Sequence, residues 1–105
     1  MGDTQWRIGI SSLFANAIGF VPSKDNFATT SKPNGNPKYP DFVELWPALQ
    51  IAVATLSMGP VGPSDAIGNT DRDLLMRCCN DEGLILKPSK PALAIDNQLI
   101  KKAMP

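Results

Sequence analysis

The segment from Gly59 to Gly83 reads GPVGPSDAIGNTDRDLLMRCCNDEG, and its interpretation decides the predicted fold. It opens with two Gly-Pro pairs around Val61, reaches Ser64 and Asp65, and then enters a stretch with helical spacing. The glycines and prolines leave room for only a very short strand, from Met58 to Val61. The segment therefore predicts a short buried strand, a turn at the Ser-Asp pair and a following helix.

The helical stretch after this turn has a clear beginning. Asn69 or Thr70 can cap it, and the acidic residues Asp71 and Asp73 lie in its first turn, where they favour a helix N-terminus. The same reasoning predicts two helices upstream, each supported by apolar spacing and end signals. The three predicted helices cover about residues 10–18, 47–57 and 70–80.

The start of the second predicted helix has two alternatives. It begins near Trp46 with Pro47 in its first turn, or it begins at Asp41 with Glu44 completing a capping box. In both cases the sequence from Ala48 is apolar nearly all the way round. Such a helix is expected to be covered on several sides.

Short apolar runs bounded by proline separate the helices. GFVPS (residues 19–23) and LILKP (84–88) are predicted as strands, a polar loop covers residues 23–41, and residues 88–105 form an irregular tail with one more short strand. This alternation of strands and helices favours an α/β fold with parallel strands. A complete barrel needs about 250 residues, so the 105 residues here are expected to form a single domain or part of a larger fold.

Composition excludes several classes of function. Ten basic and ten acidic residues cancel, which gives no electrostatic reason to expect nucleic acid or an anionic membrane as a partner. The chain has no histidine, so Ser-His-Asp triads and His-based acid-base catalysis are excluded. The first twenty residues carry Asp3 and Arg7 and resemble neither a signal peptide nor a membrane span, so the chain is expected to be soluble, with its localisation left open.

The two cysteines, Cys78 and Cys79, are adjacent. This spacing does not suit the usual structural disulfide and differs from the Cys-x-x-Cys of redox and zinc sites. We expect reduced thiols on a helix, with no metal and no cofactor. A thiol-based redox protein is the alternative, and it would require a depressed thiol pKa and accessible sulfurs.

The order of features resembles the last barrel strand and exit of the α-galactosidase and raffinose-synthase group of glycoside hydrolases. An apolar helix (ALQIAVATLSMGPV), a Ser-Asp strand end (GPSD), a helix with a Leu-Leu pair (DLLMRCCN), a turn (DEG) and a Pro-bearing exit (LILKPSKPA) follow one another as in that group. The resemblance implies a partial (β/α)8 (TIM) barrel over residues 8–87, comprising about the last two β/α units plus a C-terminal strand, and an exit tail at 88–105. It also implies carbohydrate-active ancestry, and a chain that is inactive alone because the group's nucleophile and acid/base lie on earlier strands.

The resemblance implies three residues for substrate binding. Asp65 and Ser64 would lie at the mouth of the barrel, where a carboxylate can accept hydrogen bonds from sugar hydroxyls, and Asp25 would reach the same mouth from the preceding loop. No catalytic residue is predicted. Asp65 has an alternative role as the cap of the turn into the next helix, and Asp25 as a solvated loop carboxylate.

Aromatic residues are the other candidates for contact with a sugar. Five aromatic residues could stack on the apolar face of a sugar ring: Trp6, Trp46, Tyr39, Phe27 and Phe42. Tyr39 and Phe27 in the long loop are the better candidates, whereas Trp46 at the head of an apolar helix is expected in the core.

Two functions thus compete. One is part of a glycoside-hydrolase-like protein, with carbohydrate as its partner. The other is a small module that binds a protein or a sugar without catalysis. A large exposed apolar surface would favour the first and would promote self-association, whereas a sealed core would favour the second.

Overall fold

Helices and loops make up this computed structural model, which describes residues 2–92 and 96–104. Helix α1 spans Gly2–Ala17, α2 spans Pro47–Leu56, α3 spans Arg72–Leu75 and continues as a 3-10 turn over Met76–Cys78, and α4 spans Asp96–Ala103. Helix α2 contacts α1 on one side, and α3 with its 3-10 turn on another.

The predicted α/β fold is wrong, and with it the partial TIM barrel. Within the described ranges the backbone forms no strand, only two isolated bridges: a parallel one from Phe27 to Pro63 and an antiparallel one from Cys79 to Ile85. The first bridge carries one hydrogen bond, from Ser64 N to Phe27 O at 2.8 Å. It does not extend into a ladder, because Thr29 N, the next donor on its strand, donates to the Asp65 side chain instead, and Pro60 on the other strand has no N–H.

The predicted strand at residues 19–23 is also absent. Phe20 and Val21 are exposed rather than buried, and no neighbouring strand pairs with them. At residues 84–88 only Ile85 takes part in a bridge. The predicted extra strand of the tail has no counterpart in residues 88–92 or 96–104, which include α4, and residues 93–95 lie outside the described part.

The predicted helices exist, but their ends differ. Helix α1 begins earlier than expected and ends before Gly19, whose φ of 86° confirms the predicted stop; Phe20 N donates to Ala15 O at 2.7 Å across this end. Pro47 is the first residue of α2, as one alternative predicted. The cap of α3 is Asp71, whose side chain accepts from Leu74 N, and not Asn69 or Thr70.

The third helix stops short of its predicted end near residue 80. Cys79 leaves the helical conformation (φ −142°, ψ 165°) because it pairs with Ile85 across a tight turn. Asn80 organises this turn, since its Oδ1 accepts hydrogen bonds from the N–H groups of Glu82 and Leu84. Tertiary pairing therefore overrides local helix propensity here.

The buried core is small and centres on one face of α2. Phe27, Ile51, Ala54 and Cys78 form it, with partly buried Val61, Leu74, Leu75 and Cys79 packed around them. The rest of α2 is only partly covered, because Leu49 and Leu56 are exposed. The expected cover of α2 is therefore incomplete: α1 and α3 contact the helix, Leu49 and Leu56 stay exposed, and the polar residue Gln50 is buried.

Candidate functional site

Asp65 connects two parts of the chain that are distant in sequence. Its Oδ1 accepts from Thr29 N at 2.8 Å, and its Oδ2 accepts from Thr29 Oγ1 at 2.7 Å. The same Thr29 oxygen accepts from Asp71 N at 2.8 Å, at the start of α3. We call these three residues the Thr29 clamp. Both oxygens of Asp65 are engaged within it, so the geometry favours a structural role, and a contact between Asp65 and a sugar stays a prediction.

Asp25 and Ser64 do come together, in a cleft of about 240 Å³ that we call the smaller cleft. Asp25 is exposed, and its Oδ1 accepts from Asn26 N at 2.8 Å. Two of the aromatic candidates also line this cleft, Phe27 and Tyr39. The sequence therefore pointed to residues that the fold does bring together, although they do not lie at the mouth of a barrel.

The other aromatic candidates behave differently. Trp46 is 58 % exposed beside the first turn of α2, so its expected place in the core is wrong. The backbone of Trp6 belongs to α1, but its side chain lies outside the described part of the structure. Phe42 lies between the smaller cleft and a larger one and lines both.

The larger cleft has a volume of about 480 Å³, within the range of roughly 300–1,000 Å³ that is usual for small-molecule sites. Helix α1, the loop over residues 22–26, and the segment from Phe42 into α2 form its walls. Its lining includes Arg7, Ser12, Lys24, Phe42, Glu44 and Gln50.

Three polar side chains of this cleft are buried, Ser12, Glu44 and Gln50, and burial is unusual for the last two residue types. Glu44 and Gln50 are each only 4 % exposed, and Gln50 Nε2 donates to Glu44 Oε1 at 3.3 Å. Gln50 Oε1 is also buried and has no hydrogen-bond partner among the described residues. Such an orphaned acceptor costs about 1–3 kcal/mol, so a ligand that donates a hydrogen bond to it would recover part of this free energy.

Lys24 borders the same cleft. Its Nζ donates to the Asp25 carbonyl at 3.2 Å and lies 5.2 Å from the centre of the Phe27 ring. Burial lowers the pKa of the Lys24 ammonium below its ordinary value, while the nearby carboxylates of Glu44 and Asp25 act in the opposite direction. Lys24 thus feels the charge of Glu44, although its hydrogen bond goes to Asp25 O.

The cysteine pair does not have the features of a redox site. Cys78 is buried, and burial raises the pKa of its thiol, with Cys79 adding to the increase. Its Sγ donates to Leu75 O at 2.9 Å. A protonated, buried thiol is a poor nucleophile. Cys78 therefore has neither the depressed thiol pKa nor the accessible sulfur that a redox protein would require.

The larger cleft contains two carboxylates, two side-chain amides, three serines and two cationic groups, all of which can take part in hydrogen bonds to a polar ligand. Sequence reasoning missed Glu44 and Gln50 as site residues. The available signal was Gln50, a polar interruption within an otherwise apolar helix.

The described residues lack both a membrane-spanning helix and a cluster that could bind a metal ion. Over residues 2–92 and 96–104, none of the helices is both long enough and apolar enough to cross a lipid bilayer. The same residues contain no cluster of three or more Cys, Asp or Glu side chains arranged to hold a metal ion.

No protein-family model, curated protein or solved structure matches this chain. The resemblance to the α-galactosidase and raffinose-synthase group therefore stays an untested prediction. The barrel that it implied is contradicted by the fold, and nothing supports the glycoside-hydrolase assignment.

Proposed function

We propose that the chain is a binding module without catalysis, and that it takes a small hydroxyl-bearing ligand of the sugar type in the larger cleft. The observation that carries this proposal is the buried Gln50 Oε1, which belongs to a residue lining the larger cleft and has no donor among the described residues. Sites for small polar ligands combine a concave, partly apolar wall with a few well-placed polar groups. Here Phe42 supplies an aromatic surface, and Glu44 and Gln50 supply the acceptors.

Sugar hydroxyls fit this chemistry because each can donate one hydrogen bond and accept another. A hydroxyl can donate to Gln50 Oε1, and a neighbouring hydroxyl can donate to Glu44. The C–H face of a pyranose ring is apolar and can pack on Phe42, which is 37 % exposed. Asp25 lines both clefts and provides a further acceptor at the rim.

The proposal is tested by titrating the ¹⁵N-labelled chain with common monosaccharides and following amide resonances by NMR. Binding in the larger cleft is expected to shift the side-chain amide signal of Gln50 and the backbone signals of residues 22–26. Gln50→Met removes the acceptor at similar volume and should abolish these shifts, whereas Gln98→Met changes an exposed glutamine of α4 and should leave them intact.

The outcome that contradicts the proposal is equally specific. If no monosaccharide shifts these resonances, or if the Gln50→Met protein, shown to be folded by circular dichroism, binds as well as the parent, the larger cleft is not a sugar site.

A second candidate function is protein binding, and exposed apolar side chains favour it. Phe14, Ile18, Phe20 and Val21 are between 53 % and 71 % exposed around the end of α1. An exposed apolar surface of this kind marks a site that another polypeptide can cover, and it supports the self-association expected from the sequence.

A further inference from the structure

We infer that the ligand of the larger cleft carries a protonated amino group, which is held between Glu44 and Gln50 Oε1. The inference rests on the proposed function and narrows it from sugars in general to aminated sugars and related primary amines. The orientation of the Gln50 side-chain amide supports it.

Glu44 determines which way the Gln50 amide faces. Nε2 lies 3.3 Å from Glu44 Oε1 and donates to it. If the amide were rotated by half a turn, its own oxygen would face a carboxylate oxygen, and two acceptors would repel each other. Oε1 is therefore held away from the carboxylate, where it is buried and has no partner among the described residues.

The resulting pair of groups offers two acceptors and one negative charge. Both side chains are buried, and the described hydrogen bond to the Glu44 carboxylate comes from a neutral amide. Burial of a carboxylate is costly unless a positive charge or strong donors compensate it. A ligand hydroxyl satisfies Gln50 Oε1 but brings no positive charge to Glu44, whereas an ammonium group supplies both a donor and a positive charge.

Among the described residues, neither cation that lines the larger cleft has a hydrogen bond to Glu44. Lys24 Nζ is directed to the Asp25 carbonyl and the Phe27 ring. Arg7 is exposed and contributes to the rim of the cleft. Lys24 is nevertheless close enough to sense Glu44, so it acts as a like charge that opposes a cationic ligand.

The test compares three probes by isothermal titration calorimetry near neutral pH: glucose, glucosamine and ethylammonium. A hydrogen bond that involves a charged group is stronger than a neutral one, so glucosamine should bind about tenfold more tightly than glucose. Glu44→Gln should remove this preference, because it keeps the shape of the side chain and removes its charge.

A second variant keeps the test decisive if Glu44→Gln does not fold. Lys24→Met removes the opposing charge and should raise the affinity for glucosamine and ethylammonium severalfold while leaving that for glucose unchanged. Lys32→Met is the matched control, because Lys32 is an exposed lysine of the same loop that does not line the larger cleft, and it should alter neither affinity.

The outcomes separate this inference from the proposed function. If glucose binds as tightly as glucosamine, or if Lys24→Met leaves amine binding unchanged, the ammonium site is overturned and the sugar site stands. If ethylammonium binds and neither sugar does, the ammonium site stands and the sugar function falls. If none of the three probes binds, both are overturned.

Discussion

Thr29 and Thr30 are adjacent residues whose buried hydroxyls have opposite hydrogen-bonding states. Thr29 Oγ1 donates to Asp65 and accepts from Asp71 N, whereas Thr30 Oγ1 is buried and has no partner among the described residues. The pair therefore allows a bonded hydroxyl and an unbonded one to be compared within one segment of the chain.

We predict that Thr29→Val destabilises the protein by about 2–4 kcal/mol, because it removes two part-buried hydrogen bonds and leaves Asp71 N–H and one carboxylate oxygen of Asp65 without these partners. Thr30→Val is the matched control. It keeps the β-branched shape and removes an unsatisfied group, so stability should be unchanged or slightly higher. Urea denaturation measures both changes in the free energy of unfolding, and equal effects of the two substitutions would contradict the Thr29 clamp.

At this scale the sequence predicted residues better than it predicted their partners. Ser-Asp after a Gly-Pro pair marks Asp65 as a turn residue of structural or functional weight. Nothing local indicates that its partner is Thr29, which is 36 positions away. Glu44 and Gln50 show the same limit, since a capping carboxylate and a polar interruption become a buried pair only after α2 has packed.

At the scale of elements, the path of the chain after α2 depends on two residues, Met58 and Gly59. Ser57 ends the helix, Met58 takes a φ of 72°, and Gly59 is buried against the chain at Pro22. A Cβ on Gly59 would overlap Pro22 O, so only glycine permits this approach. Met58, in contrast, holds a conformation that side chains rarely adopt.

We predict that Met58→Gly is more stable than Met58→Ala by about 1 kcal/mol, because both lose the packing of the methionine side chain and only glycine relieves the left-handed backbone. Thermal unfolding followed by circular dichroism compares the two variants. In an extended backbone at residue 58, as in the strand predicted there, alanine would instead be the more stable of the two. The sign of the difference therefore decides between the two conformations.

The elements also show where sequence reasoning succeeds. Helix signals are local: Gly19 follows α1 and Pro47 starts α2 as one alternative predicted, whereas the cap of α3 is Asp71, one or two residues after the predicted Asn69 or Thr70. A strand depends on a partner elsewhere in the chain, and apolar runs such as GFVPS carry no information about one. The prolines that bound these runs were interpreted as strand ends, and at the Phe27–Pro63 bridge the next backbone donor, Thr29 N, goes to the Asp65 side chain instead of to a strand.

For the whole molecule, the balance between core and surface is unusual. The radius of gyration is 14.9 Å, compared with about 13 Å for a compact domain of this length. Only a few apolar side chains are fully buried, while Phe14 and Ile18 are each 71 % exposed. These two lie four residues apart, where Ile18 N donates to Phe14 O, so they share one face at the end of α1.

We propose that a second copy of this chain covers this face, and we predict association that increases with protein concentration. Burial of apolar side chains from both copies favours association, and a net charge of zero removes the electrostatic repulsion that would keep copies apart.

Sedimentation velocity over a wide range of protein concentration tests this prediction, and the sedimentation coefficient should rise with concentration. The double substitution Phe14→Glu with Ile18→Lys preserves the net charge and should hold the chain as a monomer. Ile67→Ser alters a fully exposed residue of another loop and should leave association unchanged. A parent chain that stays monomeric throughout, or association that persists in the double variant, would show that this face does not bind a second copy.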